Sequence, residues 1–454
     1  MLNDTIAAIS TAQAAGGIGI IRLSGEDAPK IADKIFKAKT TLTSLEGGRF
    51  IYGKIYSLSG ELIDEAVALK FEAPHSYTGE NVIELDCHGG LVVTKLVLRA
   101  ALEAGARPAG PGEFTKRAFL NGRMGLTEAE SVMDIISASG SFSQKAAQSA
   151  REGAVAKRLE GIKAELTLLA AKITVWTDYP EDDAPDIDED IIRSTLLSSK
   201  QRLEALLNEY DSGKAARQGV LTAIAGRPNV GKSTLMNMLS GVEKSIVTEY
   251  AGTTRDIVEE TVVLKNAVLH LLDTAGMRDT DDPVEAIGVK KAYDTLEKAE
   301  LILAVFDSSE PLTENDKELC GLCKNKKAIA VINKNDLQRH IDTTFIKEHF
   351  EGVAEISAKN QDGREQLINT IEKVLGTFEL DASIGILANE RQRDCAAKAL
   401  ESIKKAIETL ESKMTFDAVG VCIDDAISSV LSLTGEKVTE TVVNEVFERF
   451  CVGK

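Results

Sequence analysis

The segment Gly226–Ser233, GRPNVGKS, constrains the fold of this chain more than any other part of its sequence. It matches the pattern GxxxxGK[ST], follows the apolar run Val220–Ala225 and precedes apolar residues at helical spacing. In that context the glycines let backbone N–H groups converge on a phosphate, and the N-terminus of the helix adds a positive dipole. The motif therefore predicts a strand, a phosphate-binding loop and a helix, with Lys232 on the β- and γ-phosphates and Ser233 on Mg²⁺.

Three later segments predict that the bound base is guanine. They are Asp273–Gly276 (DTAG), Asn333–Asp336 (NKND) and Ser357–Lys359 (SAK), and each follows a strand-like run. A carboxylate at Asp336 accepts hydrogen bonds from N1–H and the 2-amino group of guanine. Adenine offers neither donor and would leave the charge unpaired, so GTP is favoured over ATP and an ATP-dependent kinase is disfavoured. In these elements the chain resembles the P-loop GTPases.

The motifs leave open which residue activates the attacking water. Many GTPases place a glutamine just after DxxG, and this chain has Met277 there. The amide of Asn229 could hold a monovalent cation, which would do the electrostatic work of an arginine finger. Glu285 could position water, or it could be a solvated carboxylate in the first turn of a helix.

The segment Ala251–Asp256, AGTTRD, has the pattern of a first switch, with Thr254 closing on Mg²⁺. An ordinary glycine turn with an exposed Arg255 is the alternative.

The 454 residues predict about three domains. Residues 1–120 are typical of an α+β domain, 121–216 of helices, 217–378 of alternating strands and helices with a parallel sheet, and 379–454 of helices again. This order predicts a multidomain α/β plus all-α protein, either with the P-loop domain inserted into one helical domain or with two separate helical domains. Strands are expected at Ile18–Leu23, Phe50–Tyr56, Ala66–Phe71 and Asn81–Leu85, and helices at 91–104, 126–139, 144–176 and 191–210, the last ending at Gly213.

Charge and cysteine content limit the functional classes. There are 53 Lys and Arg against 71 Asp and Glu, a net charge of −18, which disfavours a protein that coats nucleic acid through bulk charge. The acidic stretch Asp178–Asp190 is interpreted as a solvated connection between helices. No apolar run reaches the ~18 residues of a membrane span. The scattered cysteines and the absence of a secretory signal favour the cytoplasm, and Cys320 and Cys323 are either two thiols on one helix face or a redox or metal pair.

A family resemblance extends over the whole chain. It is carried by GRPNVGKST, AGTTRD, DTAGMRDTDDPVEAIGV, NKND and the C-terminal CVGK, together with the N-terminal segments GIIRLSG (19–25) and HGG (88–90). These segments are similar to those of the MnmE (TrmE) family of tRNA-modifying GTPases. The terminal CVGK and the N-terminal segments make the resemblance specific, since many GTPases share the other motifs.

The resemblance implies particular roles. The N-terminal domain would bind 5-formyl-tetrahydrofolate or a related one-carbon tetrahydrofolate and mediate homodimerisation. Folate is expected to contact Arg22, Glu84, Arg123 and Lys454. K⁺ is expected at Asn229, Thr248, Tyr250 and Thr253, and Mg²⁺ at Ser233 and Thr254. The catalytic candidates are Glu285, in a water-activating role, Arg255 and Cys451.

Motifs and resemblance together assign a set of GTP-binding residues: Asn229, Val230, Gly231, Lys232, Ser233, Thr234, Thr248, Glu249, Tyr250, Ala251, Gly252, Thr253, Thr254, Asp273, Thr274, Ala275, Gly276, Asn333, Lys334, Asp336, Ser357, Ala358 and Lys359.

The resemblance also implies partners. With the flavin-dependent protein MnmG, in a heterotetramer or larger complex, the chain would build an aminomethyl or carboxymethylaminomethyl group on C5 of the wobble uridine of certain tRNAs. The acidic charge fits this if MnmG supplies most of the basic tRNA surface. The alternative is a regulatory switch GTPase in ribosome assembly, although no basic KH-like RNA-binding segment is evident.

Overall fold

The computed structural model describes residues 4–138, 140–178, 188–240, 258–272 and 295–454. The chain divides into two compact units, Met1–Met133 with Leu431–Lys454, and Asp134–Val430. Within the described ranges, no helix is both long enough and apolar enough to cross a membrane.

The first unit contains a seven-stranded sheet. Its strands are β1 (Ile6–Ile9), β2 (Ile18–Ser24), β3 (Phe36–Lys37), β4 (Arg49–Tyr56), β5 (Leu62–Phe71), β6 (Val82–His88) and β7 (Arg107–Pro108). The order is β3-β4-β5-β6-β2-β1-β7, and neighbours are antiparallel except for β1 and β7. All four strands predicted in this region are confirmed. The register sets Arg22 opposite Glu84 on adjacent strands.

Helices α1 (Ala28–Ile35) and α2 (Leu91–Glu103) cover one face of this sheet. Ile21 and Leu85 from the sheet share a buried core with Ile35 and Val97 from the helices. The other face is also covered at β1, because Ile6 and Ala8 share a second apolar cluster with Phe114.

The same unit includes α3 (Glu113–Leu120) and the C-terminal helix α14 (Glu440–Glu448). Ala118 of α3 and Phe447 of α14 belong to one apolar cluster, which Phe450 extends toward the end of the chain. This packing holds the C-terminus against the N-terminal sheet domain.

The second unit contains a six-stranded sheet. Its strands are β8 (Val220–Ala225), β9 (Val258–Val263), β10 (Val268–Leu272), β11 (Leu301–Asp307), β12 (Ala328–Asn333) and β13 (Gly352–Glu355), in the order β13-β12-β11-β8-β10-β9. All neighbours are parallel except β9 and β10. Every residue of β11 and β12 is buried, which explains their continuous apolar sequences. The predicted parallel sheet after the GxxxxGK[ST] strand is confirmed, and so is the combined α/β and all-α fold class.

Further helices of the described residues include α4 (Leu126–Ser137), α5 (Ser141–Arg151), α6 (Ala154–Asp178), α7 (Glu189–Gln218), α8 (Lys232–Ser240), α9 (Glu314–Cys323), α10 (Thr343–His349), α11 (Arg364–Leu375), α12 (Glu390–Glu411) and α13 (Phe416–Thr434). A short 3₁₀ helix spans Ala382–Ile384. α7 packs along α12, so helices from both sides of the parallel-sheet segment lie together.

Two details of the predicted helices are wrong. The helix expected over 144–176 is divided between α5 and α6, because Gly153 takes a left-handed φ of 78°. Gly213 does not end α7, which continues to Gln218. A Cβ at Gly213 would lie 2.7 Å from Cγ2 of Ile386, so this glycine serves close packing and not termination.

Candidate functional site

The phosphate-binding loop joins β8 to α8, as the motif predicts. Gly226 has a φ of 154° and Gly231 a φ of 97°. A Cβ at Gly226 would lie 2.5 Å from the carbonyl oxygen of Val305, and one at Gly231 would lie 2.3 Å from Nδ2 of Asn333. Both positions therefore need glycine, because the loop turns tightly while neighbouring strands approach it.

Lys232 begins α8 and turns back over the loop. Its Nζ donates hydrogen bonds of 2.8 Å to the carbonyl oxygens of Gly226 and Arg227. Ser233 and Thr234, the next two residues, are exposed at the N-terminus of the helix. The arrangement presents an ammonium, two hydroxyls and a helix N-terminus at one place, which suits a phosphate and its cation.

Asn229 lies at the exposed tip of the loop with a left-handed φ of 64°. A non-glycine residue in this conformation is uncommon, and asparagine tolerates it better than most. The left-handed backbone at Asn229 therefore disfavours larger apolar side chains and is compatible with the asparagine amide found there.

Asn333 connects the base-recognition segment to the phosphate-binding loop. Its Nδ2 donates to the carbonyl oxygen of Val230 at 2.8 Å, and its Oδ1 accepts from the N–H of Ala358 at 3.0 Å. The residue is only 3% exposed. One buried side chain therefore joins the loops that carry the three predicted GTPase elements of the described chain.

Asp336 is exposed, and Ser357 holds its orientation. The Ser357 hydroxyl donates a 2.6 Å hydrogen bond to Oδ1 of Asp336. This bond, with the Asp336 backbone N–H and the nearby charges of Lys359 and Lys334, lowers the pKa of Asp336 below its usual value. The carboxylate is charged at neutral pH, as acceptance of two guanine donors requires.

Lys334 has a left-handed φ of 63°, and its Nζ lies 2.5 Å from Oδ2 of Asp307. Burial opposes the charge on Asp307, but the Lys334 bond and two bonds from Ser309 outweigh it and lower the pKa of Asp307. Asp307 is not among the predicted site residues, and its only signal in the sequence is its place as an acidic residue at the end of an apolar strand.

Several predicted site residues lie outside the described residues. They are Thr248, Glu249, Tyr250, Ala251, Gly252, Thr253, Thr254, Arg255, Asp273, Thr274, Ala275, Gly276 and Glu285.

A second group of candidates lies in the first unit, on β2 and β6. Nε of Arg22 donates to Oε1 of Glu84 at 2.7 Å, and both side chains are mostly buried. The Arg22 guanidinium lies 5.7 Å from the ring centre of Tyr77 and 5.6 Å from that of Phe114. Two aromatic rings and a carboxylate thus surround one cation, and neither ring is among the predicted site residues.

The segment Tyr77–Gly79 also lies beside Arg123. A Cβ at Gly79 would be 3.2 Å from Cγ of Arg123. Arg22 and Arg123, predicted to contact the same ligand, therefore lie at opposite ends of one short segment.

The C-terminal residues pass between β1 and α3. The N–H of Phe114 donates to the carbonyl oxygen of Lys454 at 3.2 Å, and the Ser10 hydroxyl donates to that of Gly453 at 3.1 Å. Gly453 has a φ of 97°, and a Cβ there would lie 2.3 Å from the carbonyl oxygen of Ile9. Phe114 thus contacts Lys454 through its backbone and Arg22 through its ring, while Cys451 is exposed.

The pair Cys320 and Cys323 is buried on α9. Burial raises the pKa of Cys320 to about 11 and that of Cys323 to about 12. Thiols in this state are poor nucleophiles and poor metal ligands, so packing on one helix face explains the CxxC spacing. The described residues hold no group of three or more His, Cys, Asp or Glu placed to bind a metal ion.

The strand, phosphate-binding loop and helix, the mainly parallel sheet and the NKND segment define a P-loop GTPase. The family model for the GTP-binding protein TrmE N-terminus matches residues 5–123, and the model for the MnmE helical domain matches residues 126–451. The chain belongs to the MnmE family of tRNA modification GTPases.

Relatives support the same assignment over the full length. The tRNA modification GTPase MnmE of Clostridioides difficile (strain 630) is 40% identical over 459 residues, covering 100% of both chains. The Acetivibrio thermocellus protein of the same description is 40% identical over 455 residues, covering 99% of both chains. Apart from these full-length relatives, the chain has a partial likeness to a solved structure, the G domain of the T. maritima FeoB iron transporter, which is 27% identical, covers 34% of this chain and 98% of that one, and has a TM-score of 0.26.

Proposed function

We propose that this GTPase works with an MnmG-type, FAD-containing partner to add an aminomethyl or carboxymethylaminomethyl group to C5 of the wobble uridine of certain tRNAs. The observation that carries the proposal is the placement of the C-terminal segment against α3, where Phe114 bonds Lys454 and faces Arg22. A guanine-specific GTPase site and a separate cationic, aromatic site are then present in one chain.

Folate, when bound, supplies the one-carbon unit for the modification. The residues present suit a tetrahydrofolate: the half-buried Tyr77 offers a ring to the heterocycle, Glu84 accepts from ring N–H groups, and Arg22, which packs on the buried ring of Phe114, donates to carbonyl or carboxylate oxygens. Arg123 and Lys454 add positive charge for the glutamate tail. Cys451 is exposed at this end of the chain, and its thiol is the proposed participant in the modification chemistry.

The GTPase site suits both cations proposed for it. Ser233 offers an exposed hydroxyl at the start of α8 for Mg²⁺, with Thr254 as its predicted second protein ligand. Asn229 offers an exposed amide oxygen for K⁺, with Thr248, Tyr250 and Thr253 expected around it. We assign Glu285 to the positioning of the attacking water, and Arg255 to the switch that carries Thr254.

We further propose a homodimer that assembles with MnmG into a heterotetramer or larger complex in the cytoplasm. The exposed Phe50 and Tyr52 on β4 support a protein contact through the N-terminal sheet. The proposed domains are 1–120 for folate binding and dimerisation, 121–216 with 379–454 for the helical domain, and 217–378 for the GTPase domain.

Nucleoside analysis of tRNA tests this function directly. A strain without the protein should lack the C5 modification at wobble uridines, and the wild-type gene should restore it. Arg22→Ala and Cys451→Ser should fail to restore it while the purified variants hydrolyse GTP normally. A full set of modified uridines in the deletion strain would refute the proposal.

A further inference from the structure

Arg227, the second residue of the phosphate-binding loop, is held by two carboxylates, one from the connection between β11 and α9 and one from the first turn of α9. Its Nη1 lies 3.0 Å from Oε2 of Glu310, and its Nε lies 3.1 Å from Oδ1 of Asp316. The Glu310 side chain is 57% exposed, whereas the Asp316 side chain is 2% exposed. The pair with Asp316 is therefore the desolvated one, and solvent screens the pair with Glu310.

The start of α9 fixes the position of Asp316. The N–H and the hydroxyl of Thr313 both donate to Oδ2 of Asp316 at 2.8 Å, which closes a capping box. Only Oδ1 is left for Arg227, and Nε and Oδ1 face each other without hydrogen-bond alignment. The attraction is thus between charges, and its anchor is a rigid helix end.

The anchored residue also positions the lysine of the motif. The carbonyl oxygen of Arg227 accepts from Nζ of Lys232, as that of Gly226 does. The side chain of Arg227 is therefore held by residues outside the loop. Its backbone carbonyl oxygen holds the Lys232 ammonium, which is predicted to contact phosphate. A shift of Arg227 would move one of the two described acceptors that orient Lys232.

Asp307, the last residue of β11, holds the base-recognition segment through Lys334. Carboxylates between the end of β11 and the first turn of α9 are thus paired with a cation in each of the two nucleotide loops. Neither contact can be inferred from the motifs, because both acidic partners lie outside them.

We propose that Arg227 is a positioning residue, which the buried carboxylate of Asp316 holds in place so that the phosphate-binding loop keeps its nucleotide-receiving form. An arginine beside transferred phosphate could instead act on the transition state as a finger. The two carboxylates on Arg227 favour the structural tether, because a finger must leave its partners to reach the phosphate.

The test is a double-mutant cycle in the full-length chain with Arg227→Gln and Asp316→Asn. Dissociation constants for GDP and for a non-hydrolysable GTP analogue are measured with fluorescent nucleotides, alongside kcat at saturating GTP. Each single variant should weaken both nucleotides by about fivefold to tenfold, and the double variant should be no weaker than either. kcat should change by less than about twofold, because the GTP-bound ground state and the transition state lose the same interaction.

Two further variants separate positioning from loss of folding. Thr313→Val removes one of the two bonds that hold Oδ2 of Asp316 and keeps the one from the Thr313 N–H, so it should lower the melting temperature and weaken both nucleotides by less than Asp316→Asn does. Arg227→Lys keeps the charge and should recover part of the affinity lost in Arg227→Gln. A loss confined to kcat in Arg227→Gln with normal Asp316→Asn, or strictly additive losses in the cycle, would overturn the proposal.

Discussion

The side-chain amide of Asn333 donates a 2.8 Å hydrogen bond to the main-chain carbonyl of Val230, so the base-recognition segment directly supports the phosphate-binding loop. The same side chain accepts from the N–H of Ala358. Asn333→Ala leaves both backbone groups without these partners at a buried position, at a cost of about 1–3 kcal/mol for each. GDP affinity should fall by at least about tenfold, measured by titration of a fluorescent GDP analogue.

The matched control for this prediction is Asn335→Ala. Asn335 is the neighbouring asparagine in the same motif, and it is exposed. Its variant should bind GDP within about twofold of the original chain. Equal losses in both variants would mean that disruption of the segment, and not the Asn333 bridge, weakens binding.

Base selectivity should follow the chemistry of Asp336. Asp336→Asn replaces one acceptor oxygen by an N–H donor, so it should reject the 2-amino group of guanine and suit the 2-carbonyl of xanthine. GTP affinity should fall by about a hundredfold or more, with XTP becoming the better substrate in a hydrolysis assay. Ser357→Ala, which removes only the 2.6 Å bond to Asp336, should weaken GTP modestly without a change of preference.

The monovalent cation dependence of GTP hydrolysis tests the role of Asn229. A cation against the β- and γ-phosphates adds positive charge where the transition state develops negative charge. Replacing Na⁺ by K⁺ at constant ionic strength should raise kcat by about tenfold or more. Asn229→Ala should abolish the increase, and equal rates in both salts for the original chain would contradict the K⁺ proposal.

Thiol reactivity should separate the buried cysteines from the exposed one. Burial raises the pKa of Cys320 and of Cys323, which lie on α9, so little thiolate is present at pH 8. Alkylation of the native chain, followed by peptide mass spectrometry, should label Cys451 first and the α9 pair only after unfolding. Rapid alkylation of Cys320 in the folded chain would instead favour the redox interpretation of the CxxC spacing.

The sequence predicts best those parts of the molecule that local rules control. The turn at Gly226–Ser233 needs glycine and a following helix, so its motif predicts both structure and ligand. The contacts of Arg227 with Asp316 and of Arg22 with Phe114 join distant segments, and no periodicity connects them. The prediction that Gly213 ends a helix is wrong because close packing against Ile386, and not helix termination, requires a glycine at this position.

The ion cluster around Glu113 should make the first unit sensitive to acid. Burial alone would raise the pKa of Glu113, but bonds from Arg107, the N–H of Gly110 and Arg117 outweigh it, so its pKa lies below the ordinary value of 4.5. A lowered folded pKa means that the carboxylate stabilises the native state fully above pH 4.5. That stabilisation is lost as the pH falls from 4.5 through the folded pKa.

Glu113→Gln tests this linkage. At pH 7 it should reduce the free energy of unfolding by about 1–3 kcal/mol, because Arg117, which is 1% exposed, loses one charged partner and keeps Asp4 and Glu80. Urea unfolding, with hydrogen exchange of peptides from α3 as the local reporter, measures the difference. The difference in free energy of unfolding between the original chain and the variant should become smaller as the pH falls below about 4.5. A gap that stayed constant from pH 7 to pH 4 would show that Glu113 contributes through shape and not through charge.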